Sequence, residues 1–187
     1  IKVEFKVKGM ICSRCIKVLN NELRQAGAEI LKIDLGRVLI EYNPNKISQS
    51  HIERIIQEND FELIINEETL LAEKTKRWVI NYIWNTNLEQ KLSEYILEKM
   101  QIRSYEKLSR NFSKAFEKTI ERYCVLLKIE RAKEMVEYGE VSLSEIAYGL
   151  GYQNLSGLSR QFKKETGMTL REYKKQDAVR RIPLDRI

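Results

Sequence analysis

Between Ile1 and Lys8, apolar residues (Ile1, Val3, Phe5, Val7) alternate with charged ones (Lys2, Glu4, Lys6, Lys8), and the run ends at Gly9-Met10. Period two marks a strand with one buried face. The period then lengthens: Ile16, Leu19 and Leu23 share one stripe of a helix predicted over Cys15–Ala26, with Gly27 as its stop. Alternation returns in Glu29–Leu35 and Arg37–Tyr42, which join at Gly36 as a hairpin. Ser48 is placed to cap a second helix whose buried face is Ile52, Ile55 and Ile56, and Phe61–Ile65 closes as a strand. The order βαββαβ predicts a four-stranded antiparallel sheet with two helices on one face.

From Glu67 the composition turns helical. Glu67 to Thr86 offers Leu70, Leu71, Trp78, Ile80 and Ile83 as buried positions, with no Gly/Ser/Pro linker before it. The rest contains an internal repeat. LSRNF at Leu108 returns as LSRQF at Leu158, and the same offset of fifty pairs Ile96 with Ile146, Met100 with Leu150, Thr119 with Thr169 and Tyr123 with Tyr173. Apolar positions that recur in register indicate one supersecondary unit used twice. The first copy reads as a short helix from Leu92, a turn near Gln101-Ile102 and a second helix from Ser104 or Tyr105. In the second copy Ser144 is expected to cap a helix holding Ile146, Ala147 and Leu150; Gly151 turns the chain and Asn154 starts the next helix. A long helix, Tyr123 to about Tyr138, joins the copies and stops at Gly139. Each copy is a helix-turn-helix, whose second helix is built to enter a major groove.

Charge sharpens that reading. Residues 1–68 carry 10 Lys and Arg against 11 Asp and Glu, whereas residues 69–187 carry 23 against 16, so the basic excess lies with the repeat. Such asymmetry points to a polyanionic partner. On the second helices, Leu108/Phe112 and Leu158/Phe162 face inward, leaving Ser109-Arg110 and Ser159-Arg160 to face outward. An arginine fork matches guanine O6 and N7, and two such helices on one connector suit successive grooves roughly 34 Å apart. No apolar run approaches the roughly 20 residues of a membrane span. Ile1–Phe5 alternates like a strand rather than forming a leader, and the missing initiator Met suggests a trimmed or recombinant start. The expected location is cytoplasmic. Nothing resembles a catalytic base beside a nucleophile, and the one histidine, His51, is expected on the surface, so no enzyme is expected.

The remaining chemistry lies in GMICSRC, where Cys12 and Cys15 form a CxxC between the first strand and the first helix. A helix N-terminus favours thiolate over thiol. Two thiolates without a neighbouring His or carboxylate suit a soft ion, Cu(I) ahead of Zn(II), because zinc wants four ligands. Cys124, within YCVLL, is expected in the core.

The segment from Ile1 to about Asn66 resembles the heavy-metal-associated domain of copper chaperones and metal-transporting ATPases, on its βαββαβ order together with Gly9-Met10-x-Cys12-x-x-Cys15. The resemblance implies metal binding by Cys12 and Cys15, with Met10 packed under the loop and Asp60-Phe61 close to it. The segment from about Thr69 to Lys175 resembles the AraC/XylS-type DNA-binding domain, most specifically in IERAKEM, AYGLGY and RQFKKETGMTLREY. By matching positions, base-contacting roles fall on Glu106, Lys107, Ser109 and Arg110 in copy one, and on Leu155, Ser156, Ser159 and Arg160 in copy two. Lys114, Lys163 and Lys164 become phosphate contacts. Copy one departs from the pattern at Gln101, where the family has Gly, and at Ala115-Phe116-Glu117-Lys118.

The expected fold is therefore α+β: a ferredoxin-like domain over 1–66, a connecting helix over 67–86, an all-α domain with two helix-turn-helix units over 87–176, and a tail over 177–187. The expected function is a bacterial, copper-responsive transcriptional regulator acting on double-stranded promoter DNA. Two alternatives stand beside it: a metal carrier docked to DNA-binding machinery, and a CxxC thiol–disulfide sensor. A metal-donating protein and a homodimer partner are compatible with all three.

Overall fold

The computed structural model describes residues 1–64, 66–175, 181–184 and 186–187. They form two compact units, Ile1–Lys74 and Thr75–Ile187. The expected end of the last strand at Ile65, the last domain residue Gln176 and most of the early tail lie outside the described residues.

In the first unit, β1 (Lys2–Lys8), α1 (Ser13–Gln25), β2 (Glu29–Asp34), β3 (Arg37–Glu41), α2 (Gln49–Glu58) and β4 (Glu62–Leu63) follow in turn. The sheet order is β2-β3-β1-β4, with every pair antiparallel. Register sets Phe5 opposite Val38 and Val3 opposite Ile40. Phe5, Val7, Val38 and Ile40 turn into one core with Leu19 and Leu23 of α1 and Ile52, Ile55 and Ile56 of α2. Period-two and period-3.6 apolar stripes therefore meet on one face of the sheet. A bulge between Ile30 and Lys32 accommodates one extra residue in β2, which leaves Leu31 exposed. Ser48 caps α2, its side chain accepting from the His51 N–H. The closing strand is shorter than its expected span of Phe61–Ile65: Phe61 turns into the core, and only Glu62 and Leu63 join the ladder.

Helix α3 (Glu67–Asn85) crosses the division between the units. In the second unit its Val79, Ile80 and Ile83 are buried. Tyr82 donates to the Gln90 carbonyl at 2.7 Å, and the ring of Trp78 meets Tyr95 edge-on. Six helices follow: α4 (Leu92–Met100), α5 (Tyr105–Phe116), α6 (Ile120–Tyr138), α7 (Leu143–Gly149), α8 (Leu155–Thr166) and α9 (Leu170–Lys174). The offset of fifty holds in three dimensions. Helices α5 and α8 begin and end fifty residues apart, capped by Ser104 and Asn154. The first turn of α6 is likewise the counterpart of α9, with Thr119 and Thr169 as equivalent caps. Each copy buries the same set: Ile96, Leu108, Phe112 and Tyr123 in one, Ile146, Leu158, Phe162 and Tyr173 in the other. Ring centroids of Phe112–Tyr123 and of Phe162–Tyr173 both stand 5.5 Å apart.

One cap falls elsewhere than expected. Ser142, not Ser144, starts α7: its hydroxyl accepts from the Glu145 N–H while the Glu145 carboxylate accepts from the Ser142 N–H. Ser142-Leu143-Ser144-Glu145 is a capping box, and the reciprocal pair wins over the later serine, which lies inside the helix.

Candidate functional site

The reading helices present their charged faces as the apolar pattern requires. Leu108 and Phe112, like Leu158 and Phe162, are fully buried, so the residues between them turn away from the core. Glu106, Lys107, Arg110 and Lys114 are exposed on α5, as are Ser156, Arg160, Lys163 and Lys164 on α8. Ser109 and Ser159 are half-buried. Leu155 is half-buried as well and packs on the core of copy two.

The two helices differ in how they hold their arginines. Arg110 donates to the Glu106 carboxylate at 2.7 Å one turn away. The corresponding position on α8 is Ser156, and Arg160 has no ion-pair partner among the described residues. An exposed pair of this kind contributes about 0.3–0.5 kcal/mol, so Arg110 is released at little cost. Both turns between helices use a left-handed residue: Gln101 at φ 54, ψ 39 in copy one and Gly151 at φ 72 in copy two. A Cβ on Gly151 would make only ordinary contacts, with Lys128 Nζ at 3.4 Å and Leu88 at 3.6 Å, so it is the left-handed turn that calls for glycine there. Lys128 reaches over the ring of Tyr152 at 5.2 Å, and burial pushes its pKa down.

Some of the working contacts were invisible in the sequence. Arg122, in the first turn of α6, grips Glu165, in the last turn of α8, through two bonds of 2.5 and 2.7 Å. Tyr105 donates to Glu121 at 2.7 Å, which ties the start of α5 to α6. Cys124 is buried as expected, and burial pushes its thiol up to about 11.

In the first unit, Cys12 is the residue before α1 and is exposed, whereas Cys15 is half-buried. Their Sγ atoms lie 3.5 Å apart, and Cys15 Sγ also donates to the Gly9 carbonyl at 3.8 Å. The expectation that the helix N-terminus favours thiolate fails at Cys15. Burial pushes that thiol up, and backbone bonds at Cys12 and Ile11 only partly offset it. Met10 is fully buried in the core. Gly9, at φ +89, lets the chain pass the ring of Phe61, which would stand 3.5 Å from a Cβ there. His51 is exposed in the first turn of α2. Among the described residues no group of three or more His, Cys, Asp or Glu side chains gathers as a metal site. The donor set is therefore two thiols, which fits a two-coordinate soft ion and falls short of tetrahedral zinc.

The second unit carries two helix-turn-helix units joined by the long helix α6. Residues 102–176 match the helix-turn-helix domain family. The chain is 29% identical to the uncharacterized HTH-type transcriptional regulator YobQ of Bacillus subtilis (strain 168), over 56% of this chain and 52% of that protein. It is 23% identical to a second uncharacterized HTH-type transcriptional regulator of the same organism, YdeC, over 64% of this chain and 41% of that protein. The chain thus spans about half the length of these relatives or less. Among solved structures, the C-terminal domain of AraT, a response regulator from Geobacillus stearothermophilus, shares the fold with a TM-score of 0.51 at 19% identity, covering 63% of this chain and 92% of that one. None of these likenesses is to a heavy-metal-associated domain. Among the described residues no helix is long and apolar enough to cross a membrane.

Proposed function

We propose that this chain is a transcriptional regulator that binds duplex DNA through both helix-turn-helix units and takes a soft metal ion, Cu(I) before Zn(II), at Cys12 and Cys15. One observation supports the DNA reading above others: α5 and α8 repeat at an offset of fifty with Arg110 and Arg160 exposed at equivalent places. A guanidinium in that position can read guanine, Lys107 and Ser156 lie on the same exposed faces, and Lys114, Lys163 and Lys164 suit phosphates. Leu155, packed on the core, contributes shape or a methyl contact rather than a hydrogen bond.

The sulfur separation of 3.5 Å supports the metal reading, and the βαββαβ order with its buried Met10 agrees with a ferredoxin-like, heavy-metal-associated domain. The same separation supports disulfide closure, so a thiol–disulfide sensor is the second reading. For metal to act as a signal it must bind DNA-competent and incompetent states with different affinity.

Selection of binding sites from random duplexes at fixed salt tests both halves. The full chain should select one bipartite sequence. Arg110→Ala and Arg160→Ala should each relax preference at a different set of base pairs, by about fivefold or more. Added Cu(I) should shift affinity for that sequence in the native chain and leave a Cys12→Ser/Cys15→Ser variant unmoved. Arginine variants with unchanged selection would sink the DNA reading, and equal copper responses in the two chains would sink the metal reading.

A further inference from the structure

The Arg122–Glu165 pair joins the two copies of the repeat. Arg122 stands in the first turn of α6, which belongs to copy one by the offset, and Glu165 lies in the last turn of α8, the reading helix of copy two. Fifty residues on from Arg122 is Glu172, and fifty residues before Glu165 is Ala115. Neither end therefore has a like counterpart, and the contact exists only between copies.

Its geometry is that of a clamp. Two parallel bonds of 2.5 and 2.7 Å fix the guanidinium against the carboxylate, and Gln161 donates a third bond to Glu165 at 2.7 Å. The Glu165 side chain is only 7% exposed, whereas that of Arg122 is 46% exposed. Bidentate pairing restricts angle as well as distance. The pair adds a directional restraint beside the shared core in which Leu158 and Phe162 of α8 pack with Ile129, Ala132 and Val136 of α6. Glu165 also borders a cavity of about 160 Å³ with Lys118 of copy one and Glu130 and Lys133 of α6.

We infer that the Arg122–Glu165 clamp sets the relative placement of α5 and α8 and so fixes the spacing between the two half-sites that the protein accepts. Arg122 and Glu165 are positioning residues, acting through the reading helices. The inference rests on the proposal that both helices read one duplex.

The test uses the full chain and a series of duplexes in which the two selected half-sites are separated by stepwise-varied spacers, alongside duplexes carrying a single half-site. The native chain should bind one spacing best. Glu165→Gln and Arg122→Gln should flatten that profile, lowering the penalty for a one-base-pair change by about fivefold, while single half-site affinity stays within about twofold. Arg122→Lys, which keeps charge but loses the fork, should fall between. A native-like spacing profile in Glu165→Gln overturns the inference, as does an equal loss on every duplex including the single half-sites. A native chain that binds duplexes with no spacing preference also overturns it. If the native chain binds no duplex at all, the DNA reading fails first and takes this inference with it.

Discussion

At two equivalent points the first copy of the repeat carries a side chain where the second carries glycine. Gln101 and Glu117 both sit at φ 54 in the left-handed region, opposite Gly151 at φ 72 and Gly167 at φ 79. An L-residue there costs roughly 1–2 kcal/mol, and glycine gives back about 0.4–1 kcal/mol by loosening the unfolded chain. Gln101→Gly should therefore raise stability by about 0.5–1 kcal/mol, read as a higher urea midpoint with an unchanged slope. An unchanged or lower midpoint would mean that the Gln101 side chain makes up for the strain. The departure at Gln101 was legible in the sequence because the pattern that copy one resembles has glycine there. The direction at Cys15 was not: CxxC spacing brings the sulfurs together, but the desolvation that pushes Cys15 up depends on what packs over it.

Among elements, local signals carried the reading furthest. Ser48, Ser104, Asn154 and Thr119 each cap the helix that follows, through a bond spanning three residues. Ser142 is equally local, and its partner Glu145 was the sign that distinguished it from Ser144. The last strand lost most of its expected span because a run of apolar residues says buried without saying paired, and Phe61 took the first role. Contacts between elements were out of reach: nothing in the sequence relates Arg122 to a glutamate 43 positions later. That bond leaves a mark in acid. The hydrogen bond from Arg122 holds Glu165 below the usual carboxylate range. A carboxyl depressed in the folded state stabilises above its unfolded pKa, and that contribution is lost as pH falls through the folded value. The stability advantage of the native chain over Glu165→Gln should hold from neutral pH downward and shrink in the acid range as Glu165 protonates. A gap that stays constant across an acid urea series would show that the charge on Glu165 contributes nothing.

For the whole molecule, the sequence divides at the change from alternating to helical periods, and the structure divides close by, between Lys74 and Thr75 within α3. The basic excess falls with the second unit, where the repeat lies. The helix-turn-helix character was legible because repetition, capping and apolar register agree, and the family match falls on the same region, residues 102–176. What the first unit contributes was legible only as chemistry. Two thiols 3.5 Å apart limit which ions fit.

The central claim is that α5 and α8 lie together on one duplex. A hydroxyl-radical footprint of the full chain on its selected sequence, at fixed ionic strength, measures this most directly. Two protected stretches on one face, about 10–10.5 base pairs apart, are the predicted result, with Arg160→Ala losing one and keeping the other. A single protected stretch in the native chain, or two that vanish together in Arg160→Ala, would contradict it.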